Sequence, residues 1–181
     1  ARSVKRDEQS GATVEDEGAS KKTQDILRRR RHIVLLAQNQ QGLNNLFRLV
    51  SESYKSENFY RYPRIDFNLL EKYNEGIIAA SACLGGVYAG SYWEASTYDE
   101  EGKHTGVNKE QALDLMREST RRMVDIFGDR WYAEIQWNNI KQQHELNQLV
   151  IQVASEFDVE LVTTADSHYP NPDAWKDREL Y

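Results

Sequence analysis

Four short apolar runs divide this 181-residue chain, and the stretches between them follow a different period. HIVLLAQN (32–39), GIIAASACLGG (76–86), WYAEIQW (131–137) and VELVTT (159–164) are compact and rich in branched or aromatic residues, the pattern of buried strands. Between them apolar residues recur at three- and four-residue steps. Leu43, Leu46, Phe47 and Val50 mark one helix, and Ala112, Leu113, Leu115, Met116 and Met123 a longer one from about Lys109 to Phe127. Leu146, Leu149, Val150 and Val153 mark a third, from about Gln142 to Phe157. A short helical piece opens at Phe67, Leu69 and Leu70 after the Pro63 break, and Pro170 and Pro172 stop regular structure after the last strand. Strands that alternate with helices are joined by crossovers and lie parallel. The expected fold is therefore α/β, a mostly parallel sheet, either open or an incomplete (β/α) barrel. Residues 88–108, polar with scattered aromatics, read as an inserted excursion.

The charge is uneven. Residues 1–31 carry a net +3 and the remainder −9, within a formal total of −6. The leader is almost free of branched and aromatic residues as far as Ile26. It cannot bury enough apolar surface to offset its ordering entropy, so it reads as loop or disordered. It closes on Arg28, Arg29, Arg30 and Arg31, a cluster read either as a phosphate contact or as a solvated connector. The acidic body argues against a surface devoted to nucleic acid. No run approaches the ~20 apolar residues of a membrane span, and no apolar secretory segment follows the amino terminus. No membrane partner is expected. The single cysteine, Cys83, excludes an internal disulfide, so a reducing, cytoplasmic setting is expected. A chain that opens on Ala1 is expected to be processed, or cut from a longer one.

Few residues are equipped for chemistry. Asp166 and His168 follow the fourth strand directly, and in parallel α/β folds ligands bind at the carboxyl ends of strands. A carboxylate and an imidazole spaced as D-x-H suit zinc, manganese or iron, or else a turn-capping Asp beside a surface His. Cys83 lies at the same end of the second strand, before Gly85-Gly86, as a ligand or a buried structural thiol. His32 begins the first strand, at the end opposite to where a ligand is expected in a parallel sheet. Glu134, inside the third strand, either supports a ligand from behind or points outward. His104 and His144 read as solvated. The P-loop, dinucleotide fingerprint, nucleophile elbow and paired C-x-x-C are all missing, so covalent catalysis has no support.

Taken in order, HIVLLAQNQQGLNNLFRLVSESY, FYRYPRIDFNLLEKYNEGIIAASACLGG, IFGDRWYAEIQ and VELVTTADSHYPNP resemble the PHP (polymerase and histidinol phosphatase) domain of bacterial C-family replicative DNA polymerases. The resemblance covers about Arg31 to Pro172. It implies a distorted (β/α) barrel whose strand ends hold divalent metals, zinc or manganese, for 3′–5′ exonuclease or phosphoesterase chemistry. It also implies a parent polymerase using magnesium for nucleotide transfer, with DNA and replisome subunits as partners. Carried over by position, the metal ligands are His32, Cys83, Asp166 and His168. The family's opening H-x-H, the Asp and His after it, and the Glu before HIVLLA have no counterpart, and Ala165 stands where an Asn is usual. On this resemblance the chain is the carboxyl portion of such a domain. Residues 1–31 form a leader, 32–172 the metal-barrel portion and 173–181 the start of a linker, and the piece alone is expected to be inactive. A free-standing phosphatase of small phosphate esters and a non-catalytic scaffold are the alternatives.

Overall fold

The structure, a computed structural model, describes residues 30–59, 62–174 and 176. Its elements in chain order are β1 (Val34–Ala37), α1 (Gln40–Ser53), α2 (Phe67–Lys72), β2 (Ile77–Ala80), α3 (Val87–Glu94), β3 (Ser96–Tyr98), β4 (His104–Val107), α4 (Lys109–Phe127), β5 (Trp131–Gln136), α5 (Lys141–Phe157) and β6 (Leu161–Thr164). Four strands form one sheet in the order β1-β2-β5-β6, and β3 and β4 pair as a separate hairpin. β5 is parallel to both β2 and β6, as expected. Among the described residues the sheet is open, with β1 and β6 at its edges.

β1 departs from expectation. It runs antiparallel to β2, with Val34 opposite Ala80 and Ala37 opposite Ile77. The cause lies in the connection: the Gln38 N–H donates to the Gly76 carbonyl at 2.8 Å, so the chain leaves β1 and re-enters β2 at the same end of the sheet. Two helices fill that excursion in place of one crossover helix. Their starts are fixed by side-chain caps, Asn39 accepting from the Gly42 N–H and Asp66 from the Leu69 N–H, both at 2.9 Å. Asn108 caps α4 in the same way, accepting from the Gln111 N–H at 3.2 Å.

The core lies between one face of the sheet and α3, α4 and α5. Alternation along the strands turns Ile77, Ala79, Trp131, Ala133 and Ile135 toward the helices, where Tyr88, Tyr92, Met116, Phe127, Val150 and Val153 meet them, all buried. Trp131 packs edge-on against Tyr88 and stacks on Phe127, with centroids 5.9 and 6.5 Å apart. Burying such side chains contributes about 1.5–3 kcal/mol each.

Two readings change here. The polar excursion holds a core helix: Tyr88 and Ala89 are 1 % exposed and Tyr92 0 %. α3 is covered on several sides, so it shows no amphipathic period, and its Gly and Ser look like loop residues. In α1 most of the apolar stripe faces outward, with Phe47 62 % and Val50 58 % exposed, while Leu46 packs against the core. The buried face is Gly42, Asn45, Leu49 and Ser53. Gly42 is required there, because a Cβ would lie 1.8 Å from the Gly76 carbonyl oxygen.

Candidate metal centre

The reversal of β1 decides where the site residues go. Because β1 is antiparallel, its amino end lies beside the carboxyl ends of β2, β5 and β6, and His32 arrives at the edge where ligands are expected. The His32 N–H donates to the Gly85 carbonyl at 2.8 Å, and His32 bridges to Gly86. Cys83 stands in the intervening turn, its Sγ 3.5 Å from His32 Nδ1 and accepting from the Gly85 N–H at 3.4 Å. Gly86 is sterically required, and Gly85 leaves the imidazole room to sit close. A Cβ at 85 would lie 3.1 Å from the imidazole Cε1 and Nδ1, and one at 86 would lie 2.0 Å from the Ser81 carbonyl oxygen. The turn is also strained, since Ala82 adopts φ 61° while nearly buried. A non-glycine residue is held there only when its surroundings enforce it, and such positions cluster at functional sites.

Asp166 and His168 leave the same edge from the end of β6. Asp166 is likewise left-handed, at φ 49°, and His168 Nδ1 lies 2.6 Å from the Asp166 carbonyl oxygen. Both are exposed. β5 separates β6 from β2, so the two pairs stand roughly 10 Å apart by strand spacing. Among the described residues no three His, Cys, Asp or Glu side chains gather into one metal-holding cluster. The structure brings His32 to Cys83, and keeps Asp166 with His168 as a second pair along that edge.

Glu134 does not point outward. It is 7 % exposed on the sheet face opposite the helices, and its Oε1 accepts from Thr164 Oγ1 at 2.5 Å and from Gln136 Nε2 at 3.0 Å. Its own N–H donates to Ser81 Oγ at 2.8 Å, tying β5 to the turn that carries Cys83. Gln136 and Thr164 are functional candidates that composition alone does not reveal. The signal was present, because an E-x-Q pair on a strand shares one face. The Gln136 amide nitrogen is committed to the Glu134 carboxylate, which leaves its buried Oε1 with no hydrogen-bond donor among the described residues.

The basic run is divided. Arg28 and Arg29 lie outside the described residues. The Arg30 guanidinium lies 3.7 Å over the Tyr62 ring centroid, and Arg31 donates to the Arg30 carbonyl at 3.1 Å. Both line a cavity of about 1230 Å³ that reaches His32 and Gly85 and also contains Glu57, Glu94 and Glu118, so it carries both signs of charge.

Of the remaining histidines, His144 is exposed as expected, while His104 is not simply solvated. It sits half-buried among Tyr92, Trp93 and Tyr98, with ring centroids 5.7–5.8 Å away. Tyr92 donates to Glu145 at 2.6 Å, a bond that holds the Glu145 carboxyl below its ordinary range. Burial first, and that carboxylate second, push the Tyr92 phenol up.

Fold and site together define an α/β domain whose donor side chains line one sheet edge. Comparison with known proteins gives the family: the chain matches the PHP domain over residues 11–138 and belongs to it. It is also similar to the DNA polymerase III subunit alpha of Aquifex aeolicus, 42 % identical over 142 residues, which is 78 % of this chain and 11 % of that protein. The Helicobacter pylori subunit is 33 % identical over 166 residues, 92 % of this chain and 13 % of the relative. That of Thermus aquaticus is 34 % identical over 138 residues, or 76 % and 10 %. The chain thus spans about a tenth of the length of the curated relatives it matches. No helix among the described residues is long and apolar enough to cross a membrane.

Proposed function

We propose that the chain is the PHP portion of a DNA polymerase III alpha subunit, and that its donor-lined edge serves a divalent-metal phosphoesterase of the 3′–5′ exonuclease type. One observation carries the reading. Two ligands of a tetrahedral zinc, a thiolate at about 2.3 Å and an imidazole at about 2.0–2.1 Å, stand roughly 3.6 Å apart. Cys83 Sγ and His32 Nδ1, 51 residues apart in sequence, stand at 3.5 Å.

His32 and Cys83 fit such a metal in donor type and spacing. His32 and Cys83 would hold one ion, and Asp166 and His168 contribute to the same edge; a bound zinc or manganese supplies Lewis acidity toward a phosphoryl oxygen. The rest of the work is the chain's own. Gly85 and Gly86 let the imidazole and thiol approach the backbone, and the Gly85 N–H fixes the sulfur. Glu134, Ser81, Gln136 and Thr164 lock β2, β5 and β6 in register behind them. With the donors held as two pairs, the isolated chain is expected to bind metal weakly and to turn over slowly, if at all. Magnesium-dependent nucleotide transfer, DNA and the replisome subunits belong to the parent enzyme.

The test is metal retention by the purified chain after dialysis against zinc or manganese, in wild type, Cys83→Ser and His168→Ala. Weak binding that disappears in Cys83→Ser supports the pair as ligands. Binding untouched by that substitution refutes it and favours the scaffold reading. Release of nucleotides from a 3′ end by the chain alone would overturn the view of the piece as inert.

A further inference from the structure

The loop after β5 carries an exposed tryptophan that neither the core nor the donor set uses. Trp137 is 70 % exposed, the most exposed of the described large apolar side chains. Large apolar side chains scattered singly on a surface are ordinary, but an indole this open is unusual, because burial is worth most to the largest rings. Its position is specific. Gln136 is registered against Thr164, so the chain leaves β5 at Trp137 and β6 at Ala165 side by side, about one strand spacing apart. The chain that enters the D-x-H pair therefore starts beside the backbone at Trp137, and Tyr169, the residue after His168, is a second exposed ring at 41 %. Exposed Asn139 follows two residues after the indole, bringing an amide group close to a flat aromatic face.

We propose that Trp137 is a stacking platform for an unpaired nucleobase at the end of a nucleic-acid strand whose terminal phosphodiester lies at the donor-lined edge, with Tyr169 as a second contact. The inference rests on the phosphoesterase reading and assigns that site its substrate class. Every base presents a π-face, so a single aromatic plane holds a strand end without regard to sequence, and the exposed Asn139 amide can meet base-edge donors and acceptors. Such a platform also suits an acidic protein. Stacking does not depend on the basic surface that the body of this chain lacks, and the strand's phosphate charge would be met by the metal edge.

Binding of a 5′-labelled octathymidylate to the 181-residue chain, followed by fluorescence anisotropy at low salt, tests this against an octamer of abasic residues with the same backbone charge. Wild type should bind the base-bearing strand about 5- to 100-fold more tightly than the abasic one. Trp137→Ala should lose that difference, Trp137→Phe should keep most of it, and Tyr169→Ala should reduce it in part. Equal binding of the two strands by wild type, no binding of either, or a preference untouched by Trp137→Ala would each overturn the proposal. The last of these outcomes would leave the indole to a protein partner. Thermal melting of each variant shows that the fold persists. Zinc retention measured on the same samples separates the two readings: metal binding without base dependence removes only the platform, and base dependence without metal binding removes only the metal centre.

Discussion

Gly86→Ala tests the turn that carries Cys83 most directly, because the obstacle is backbone. An alanine Cβ would stand 2.0 Å from the Ser81 carbonyl oxygen, 2.9 Å from that of Cys83 and 3.0 Å from the Ala82 carbonyl carbon. Carbon and carbonyl oxygen come into contact at roughly 3.3 Å, so the Ser81 carbonyl must retreat by more than about 1 Å. It is not free to do so, since it accepts from the Val87 N–H at 3.0 Å while the Gly86 N–H donates to Cys83 at 2.7 Å. Overpacking costs about 1–3 kcal/mol and each weakened hydrogen bond about 1 kcal/mol, giving roughly 2–4 kcal/mol in all. For a chain of this size that lowers Tm by about 4–16 °C. The same turn presents Cys83 to His32, so zinc affinity should fall about tenfold or more alongside stability. Gly106→Ala is the control: its nearest neighbour would be Thr97 Oγ1 at 3.6 Å, an ordinary contact, and Tm should stay within about 2 °C. Calorimetry and zinc titration read both quantities. A Gly86→Ala chain that matches Gly106→Ala in Tm and in zinc affinity would show that the turn yields freely and that the rigidity argued for the site is wrong.

Other perturbations reach different parts of the structure. Tyr88→Phe removes the oxygen that accepts from the Trp131 indole at 3.0 Å and leaves that buried N–H without a partner, for a loss of about 1–3 kcal/mol in urea denaturation. Asn147→Ala strips the Gln136 carbonyl and the Gln143 amide of their 2.8 Å partners and should cost about 2–4 kcal/mol by the same assay, with β5 amides losing hydrogen-exchange protection first. Glu156 is bound by Arg117 at 2.7 and 2.9 Å and by Gln152 at 3.1 Å, which holds its carboxyl at about 2. A folded pKa below the unfolded one stabilises at higher pH, so this contribution is complete above about pH 4.5 and is lost as pH falls toward 2. Glu156→Gln should therefore flatten the acid limb of Tm against pH between about 5 and 2, and an unchanged acid limb would count against the ion pair.

Much of the fold could be read from the chain because its strands and long helices carry complete periods. WYAEIQW alternates between a core face and a network face, and the α5 stripe of Leu146, Leu149, Val150 and Val153 is buried throughout. What escaped had a physical reason. α3 is apolar on several sides and holds Gly90, against which Arg31 packs so closely that a Cβ would lie 2.2 Å from its Nε, so it imitates a loop. α1 turns most of its apolar stripe, Leu43, Phe47 and Val50, away from the core, because Gly42 and Asn45 make the close backbone approach and the bond to the Glu75 carbonyl at 2.9 Å. Helical period reveals an apolar face and does not say which neighbour takes it.

The candidate donors were legible as residue types and illegible as geometry, and the connection from β1 to β2 accounts for the difference. His32 looked misplaced only on the assumption that every strand runs the same way, which alternation of strands and helices encourages. The Gln38–Gly76 bond returns the chain to β2 at the end where it left β1, reversing one strand. That reversal sends the amino end of β1 to the edge reached by the carboxyl ends of the other three. No local signal encodes it: strand direction is settled by the whole connection from Gln38 to Gly76, through two capped helices and a glycine at φ 69°. Moving that connection by one helical pass would carry His32 to the far edge and leave Cys83 without its imidazole. The length and capping of a segment remote from that edge thus determine whether His32 and Cys83 meet at all.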